Sequence, residues 1–397
     1  METLQNKITA DETNKIEKDN TKSKIGFITN ENDIIDILKN KNKRKSYCSN
    51  IDFIKKSIIG ELLDYELKSF LNYGSEGFIY SAVNKNERKI YAIKFIINKF
   101  EEKDQENKNI EREYNISLHF KDKNILKTYE KRTLKYFTAF IMEYCEYGDI
   151  IFFLKKLIKK NFLSEANLCY FIYQILKGLN NLHRNKIIHL DIKPQNIMID
   201  NRLNAKIGDF SISLDYSKFE DSNSVTLPKN GTNSYIAPEI LGGTSIKVKD
   251  LNKIDIYSLG VMSFVLAYGF FPYNSSNDNM KNTELIYKQI MSSKLKIPPL
   301  KSYSKGFVNF LEKCLNRDIK ERYSIEDALR DPWINGYKLI EKSKHLYNNL
   351  EKFLICVVTD NIINYKKYKD QVDKEINKNE IELTKNNNCI NLHEDNY

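Results

Sequence analysis

A two-lobed α+β fold is what this sequence predicts, with a small β-rich lobe carrying one main helix and a larger, mostly helical lobe after it. Three observations carry that expectation. From Tyr65 onward, short runs rich in β-branched and aromatic residues alternate with turn residues. Beyond Gly148, apolar residues fall at the three-to-four spacing of helices. The change of pattern occurs across a short polar stretch, Glu143 to Gly148, which is the expected hinge. With 397 residues the chain accommodates one such domain of roughly 250 to 300 residues plus extensions.

In chain order, Tyr65 to Leu71, Phe78 to Val83 and Lys89 to Ile97 read as antiparallel strands. A charged helix is predicted from Glu101 to His119, then strands at Ile125 to Tyr129 and Phe137 to Met142, then helices at Ile150 to Lys160 and Glu165 to His183. Residues 1–64 are polar, which predicts a flexible extension with transient helices; Ile34, Ile35, Ile37 and Leu38 are its best helical stripe, ahead of a basic knot from Lys41 to Lys45. The expected divisions are therefore an extension (1–64), a two-lobed domain (65–336, with lobes 65–142 and 149–336 around the hinge 143–148) and a tail (337–397). In the tail, Leu339, Leu346, Leu350, Phe353, Leu354 and Val357 form one apolar stripe, read as a helix docked on the large lobe or, in the sharper reading, a regulatory segment.

Composition narrows the class of partner. The 63 Lys and Arg against 53 Asp and Glu give a formal charge of +10, but the lysines are scattered among Glu and Asn, so they read as a solvated surface and no nucleic-acid partner is expected. Six cysteines lie far apart with no CxxC pair, favouring reduced thiols over a disulfide framework or zinc site. The segment from Met1 to Gln5 has no hydrophobic signal core and no Gly at position 2, and the apolar run Phe353 to Val358 is too short to cross a bilayer. A monomer inside the cell is the expectation, cytoplasmic with the nucleus as alternative, and without a membrane span.

The residues able to do chemistry come in a fixed order. Leu71-Asn72-Tyr73-Gly74-Ser75-Glu76-Gly77-Phe78-Ile79 lies between two predicted strands, where Gly74 and Gly77 let a hairpin backbone approach phosphates. In Tyr91-Ala92-Ile93-Lys94, period-two alternation puts Ala92 and Lys94 on one face. Ile141-Met142-Glu143-Tyr144-Cys145-Glu146-Tyr147-Gly148-Asp149 joins strand to helix. His189-Leu190-Asp191-Ile192-Lys193-Pro194-Gln195-Asn196 and Gly208-Asp209-Phe210-Ser211 then bring an acid, a lysine, an amide and a second acid to the two ends of a short hairpin. Such a set can take a hydroxyl proton, hold a phosphate and bind a metal.

These motifs, from about Tyr65 to Trp333, resemble those of eukaryotic protein kinases of the Ser/Thr type. The resemblance implies the kinase bilobal fold, ATP and Mg2+ as cofactors, and protein substrates with Ser or Thr acceptors. It assigns Leu71 to Ile79 to the glycine-rich loop, Ala92 to the adenine pocket, and Lys94 to the ATP phosphates. Glu113 is the partner of Lys94, chosen over Glu111 by its distance from Asn124-Ile125. Met142 takes the gatekeeper position, the backbone of Glu143 and Cys145 pairs with adenine, and Asp149 binds ribose. Asp191 acts as base, Lys193 neutralises the transferring phosphoryl group, and Asn196 and Asp209 hold magnesium. Thr232, in Gly231-Thr232-Asn233-Ser234-Tyr235, bonds the aspartate and lysine and points to Ser/Thr acceptors. Glu239 pairs with Arg322, Asp255 braces the catalytic-loop backbone, and Trp333 anchors packing.

Departures from the family pattern are Asn72 for the first glycine, Glu76 at the loop tip, Ser117 for an apolar spine residue, Leu190 for Arg and Ser211 for Gly. The first four favour a rival reading, a pseudokinase serving as nucleotide-binding module or scaffold, whereas Ser211 keeps the Asp209 carboxylate and decides neither reading; Ser117 leaves the small-lobe helix open to a regulatory partner. Leu190 removes the cation that usually clamps a phosphorylated activation segment, so phosphorylation at Ser222, Ser224 or Thr226 is expected to matter less. Residues 242 to 251 are long for the family and are expected to form a surface insertion.

Overall fold

The structure, a computed structural model, describes residues 31–74, 77–98, 103–158, 165–219, 221–273, 283–293, 295, 297–298 and 303–335. The apolar tail stripe lies outside the described residues, as do the loop-tip residues Ser75 and Glu76. The chain divides between Leu62 and Leu63 into two compact units. No helix among the described residues is long and apolar enough to cross a membrane.

The first unit holds more regular structure than its polar composition predicts. Helices α1 (Glu31–Lys39), α2 (Lys41–Cys48) and α3 (Ile51–Ser57) follow one another closely. Their driving force is a small apolar set at helical spacing, with Ile34, Ile37, Leu38, Phe53 and Ile54 buried. Asn50 starts α3 by accepting the backbone N–H groups of Asp52 (2.9 Å) and Phe53 (3.2 Å), which otherwise lack intrahelical partners. Cys48 is fully buried and its thiol is pushed up to about 12 by desolvation, outweighing nearby Arg44.

The second unit begins with five antiparallel strands in the order β1-β2-β3-β5-β4: β1 (Tyr65–Tyr73), β2 (Gly77–Asn84), β3 (Ile90–Ile97), β4 (Thr128–Thr133) and β5 (Phe137–Glu143). Phe78 stacks on Phe95 at 5.2 Å and meets Phe137 edge-on at 5.4 Å, locking the central strands together. Helix α4 (Lys103–His119) follows β3. The apolar pattern predicts β4 at Ile125 to Tyr129, but the strand is the polar run Thr128–Thr133. Its edge position explains the polarity, since an edge strand keeps a solvated face. Ile125 instead bridges Ile207, and the Leu126 N–H donates to the Ile207 carbonyl at 2.8 Å, tying the two lobes together.

In the helical lobe, Asp149 caps α5 (Ile150–Phe152), which widens into a π-helical stretch over Phe153–Ile158 where an α-helix is predicted; the end of that prediction, Lys159 and Lys160, lies outside the described residues. Helix α6 (Glu165–Arg184) leads to β6 (Ile187–Ile188), and the hairpin of β7 (Ile197–Ile199) with β8 (Ala205–Ile207) is followed by β9 (Leu214–Asp215), which pairs with β6. Further on come β10 (Ser224–Val225), α7 (Pro238–Leu241), β11 (Ile246–Lys247) and α8 (Lys253–Tyr268). Helix α8 is buried on every side from Ile254 to Ala267, as its all-round apolar sequence requires. Helices α9 (Thr283–Ser292), α10 (Lys305–Cys314) and α11 (Ile325–Arg330) complete the lobe, with Trp333 packed 4.9 Å from both Phe307 and Phe310.

Arg322 has 2 % of its surface exposed and grips Glu239 with two parallel bonds of 2.6 and 2.8 Å, while its guanidinium lies 4.9 Å from the Tyr257 ring. Arg322→Met leaves the buried Glu239 carboxylate unpaired. The expected loss of unfolding free energy is about 3–5 kcal/mol, read as a lower urea midpoint at unchanged m-value.

Candidate active site

Strand alternation puts Ala92, Lys94 and Ile96 on one face of β3, where Ala92 and Ile96 pack with Phe140 and Met142. Register sets Ala92 opposite Met142 and Lys94 opposite Phe140. The Lys94 ammonium donates to Glu113 on α4 at 2.6 Å and to Asp209 at 3.1 Å. Glu111 instead meets Lys131. Ser117 is buried, but its hydroxyl donates to the Tyr114 carbonyl at 3.0 Å within α4, so the polar spine position is satisfied locally.

Below the β1–β2 turn, the backbone closes through the Gly74 N–H donating to the Gly77 carbonyl at 2.7 Å. Gly77 meets a stricter requirement than flexibility, because a Cβ there would stand 1.9 Å from the Phe95 carbonyl oxygen of β3. The Asn72 side chain accepts the Tyr73 N–H at 2.8 Å, next to an irregular register between Phe70 and Asn72. Leu71 is exposed, whereas Phe78 is buried and Ile79 packs against the Ala92 cluster. At the hinge, Glu143 receives the ammonium of buried Lys206 at 3.1 Å, and burial raises the Cys145 thiol above its ordinary range. Asp149 Oδ1 accepts the N–H groups of Ile151 and Phe152, both at 2.8 Å, making this residue a helix cap.

The β7–β8 hairpin brings the two acidic fragments together, with the Gly208 N–H donating to the Asn196 carbonyl at 2.9 Å. Asp191 is bonded on both oxygens. Thr232 donates to Oδ1 from its N–H (3.1 Å) and hydroxyl (2.9 Å), while Asn196 Nδ2 (3.0 Å) and Lys193 Nζ (3.0 Å) approach Oδ2. The Lys193 ammonium also donates to the Thr232 hydroxyl at 2.7 Å, so that hydroxyl relays between lysine and aspartate. His189 packs against Phe210 with ring centres 5.3 Å apart, its Nε2 bonded to the Gly208 carbonyl and its Nδ1 accepting the Asp191 N–H.

Asn196 Nδ2 is committed twice to Asp191, leaving Oδ1 as the amide's acceptor atom; this oxygen and those of the Asp209 carboxylate are hard donors of the kind that could hold Mg2+. Among the described residues no three His, Cys, Asp or Glu side chains form a group that could hold a metal ion. Burial pushes Asp209 up, but the Lys94 ammonium more than offsets it, with His189 and Lys193 assisting, and its carboxyl settles at about 2. Its side chain is 39 % exposed, so Lys94 is partly screened from it by solvent.

Motif spacing does not flag Arg112 or Lys206. Arg112, next to Glu113 on α4, donates to the Ser211 carbonyl at 3.0 Å, and Lys206 reaches the hinge; only their neighbours in sequence could have drawn notice. A cavity of about 550 Å³ beside the hinge is lined by Lys89, Glu143, Glu146, Asp200 and Lys206 among others. It contains none of Lys94, Asp191, Asn196 and Asp209, so the site is defined by these side chains and not by that cavity.

A lysine bridging a helix glutamate and a loop aspartate beside a multiply bonded second aspartate, on a two-lobed scaffold, is chemically able to support phosphoryl transfer. Residues 65–334 match the family described as Protein kinase domain, and the chain belongs to it. The chain is similar to myosin light chain kinase A of Dictyostelium discoideum, 30% identical over 277 residues, covering 68% of this chain and 88% of that protein. It is also similar to CBL-interacting serine/threonine-protein kinase 14 of Arabidopsis thaliana (29% over 290 residues, 72% of this chain and 62% of that protein). Serine/threonine-protein kinase pakH of Dictyostelium discoideum is 33% identical over 278 residues, 69% of this chain and 50% of that protein. The match thus spans most of the first relative and only half to three-fifths of the other two. This chain is an ATP-binding protein serine/threonine kinase.

Because Asp209 is held below its ordinary 3.8, its ionised form favours the folded state. That contribution is fully present above about pH 4 and is lost as pH falls through about 2. The stability difference between wild type and Asp209→Asn, followed by thermal melts from pH 6 downward, is expected to stay flat to about pH 4 and to shift only below it.

Proposed function

We propose that this kinase transfers the terminal phosphoryl group of ATP to Ser or Thr hydroxyls of protein substrates through the residues gathered above. Asp191 orients the acceptor hydroxyl and takes its proton as the oxygen–phosphorus bond forms and ADP departs. Lys193 neutralises the equatorial oxygens, and Thr232 keeps both side chains in register. Lys94, braced by Glu113, holds the ATP phosphates under the turn from Leu71 to Ile79. Ala92 and Met142 face adenine, the Glu143 and Cys145 backbone pairs with its edge, and Asp149 binds ribose. Asp209 and Asn196 would hold Mg2+, which when bound neutralises phosphate charge. The observation that carries this reading is the Lys94 bridge between Glu113 and Asp209. Such transfer depends on positioning and charge neutralisation, and this bridge fixes a cation against the proposed metal-binding carboxylate. The proposed catalytic domain runs from 65 to 336.

The test is transfer of radiolabel from ATP to a Ser/Thr protein substrate by purified wild type and Asp191→Asn. A fall of about 10²–10⁴-fold in the variant is expected. Equal labelling by the two proteins removes Asp191 from the role, whereas an inert wild type that still binds nucleotide supports the scaffold reading favoured by Asn72 and Leu190.

Acceptor preference follows from what borders the proposed substrate groove. Gln195 is neutral, and Val265 is 1 % exposed inside the core, where packing decides the side chain. Asp149, whose Oδ1 accepts the two N–H groups of its helix cap, is the remaining candidate partner for a substrate arginine. A positional peptide library is expected to give no dominant selection for Arg upstream of the acceptor; strong selection there would refute this assignment.

A further inference from the structure

We propose that the arm 242–251 is a positioning element that holds the activation segment in its working conformation without a phosphate; this rests on the proposed function. β10 of the segment pairs antiparallel with β11 of the arm, Ser224 opposite Lys247 and Val225 opposite Ile246. The Ser224 and Ser245 hydroxyls are 2.8 Å apart, and the Val248 N–H donates to the Asn223 carbonyl at 3.4 Å. A ribbon this short is not stable alone, so its anchors decide its worth. Ile246 and Leu227 are buried, and Val225 packs against the same core.

Both ends of the path are fixed. At the root, the N–H and hydroxyl of Thr244 each donate to the Glu239 carbonyl at 3.0 Å, and the Glu239 side chain is gripped by Arg322. At the far end, Gly231 has φ +111°, and a Cβ on it would approach the Leu190 carbonyl to 2.9 Å. Thr232 comes next and donates twice to Asp191. A continuous route therefore runs from Arg322 through Glu239, Thr244, Ile246 and Val225 along the segment to Thr232. It is made of backbone bonds and apolar burial from Thr244 to Leu227. Leu190, where a phosphate-binding arginine would stand, is itself partly buried against the core.

The experiment uses the full chain, phosphatase-treated and shown by mass spectrometry to carry no phosphate. Wild type is expected to keep its peptide-phosphorylating activity within about two-fold of the untreated protein. Ile246→Ser is expected to speed amide exchange at residues 223–226 at least about ten-fold and to lower kcat by about ten-fold or more, with ADP affinity unchanged. The milder Ser224→Ala/Ser245→Ala pair, which leaves the core intact, should move both readouts in the same direction. Unchanged exchange in Ile246→Ser, faster exchange with unchanged kcat, or loss of wild-type activity on phosphatase treatment would overturn the proposal. If wild type is inert under all conditions, the proposed function falls, and the exchange readout still decides whether the arm holds the segment.

Discussion

A carboxylate with no solvent contact, Asp255 on the buried helix α8, sets the geometry on which the candidate site depends. It accepts from the His189 and Leu190 N–H groups at 2.9 Å each and meets His183 Nε2 at 2.8 Å. Burial pushes its carboxyl up, but the hydrogen bonds from His183 and from the His189 N–H outweigh this and hold it below the usual range. Removing a carboxylate from water costs several kcal/mol, and three converging donors offset that cost. They also offset a second one: Leu190 sits at φ +68°, a conformation costing about 1–3 kcal/mol for a residue with a side chain. The strained turn precedes Asp191, which meets Thr232, Lys193 and Asn196, so the groups of the candidate site inherit their placement from a helix they do not belong to.

The same economy of rigid parts recurs across the site. Lys94 stands on a central strand, Glu113 on a long helix and Asp209 just past a hairpin, and the ammonium joins all three. Arg112 adds a second tie between the helix and the segment after Asp209, through the Ser211 carbonyl. Consecutive residues of α4 point about 100° apart, so this helix reaches the segment directly through Arg112 and, by way of Lys94, through Glu113. Rotation or withdrawal of α4 would break both ties together.

Motif-bearing regions were legible in the sequence because their chemistry restricts residue type at fixed spacing. The distance from Asn124-Ile125 favours Glu113 over Glu111, and Lys94 does meet Glu113. Asp255 and Arg322 are matched with their partners only through the kinase resemblance, because nothing local in the sequence marks pairs so far apart. Legibility fails where tertiary context overrides local pattern. Polar β4 is a strand because its neighbour β5 offers hydrogen bonds, and apolar Ile125 is buried by Ile207 without being in the sheet. The helices of residues 31–57 rest on few apolar residues in a charged background, and two-residue strands such as β10 and β11 are too short to have a period.

Gly77 has a consequence for judging which relatives of this chain are enzymes. Its lack of a side chain is required by the Phe95 carbonyl of the adjacent strand, independently of any nucleotide. Folding alone would therefore keep a glycine here after catalysis had been lost, and the residue is a poor witness to activity. Positions set by side-chain charge rather than by backbone packing, Lys94 between two carboxylates above all, are the better witnesses.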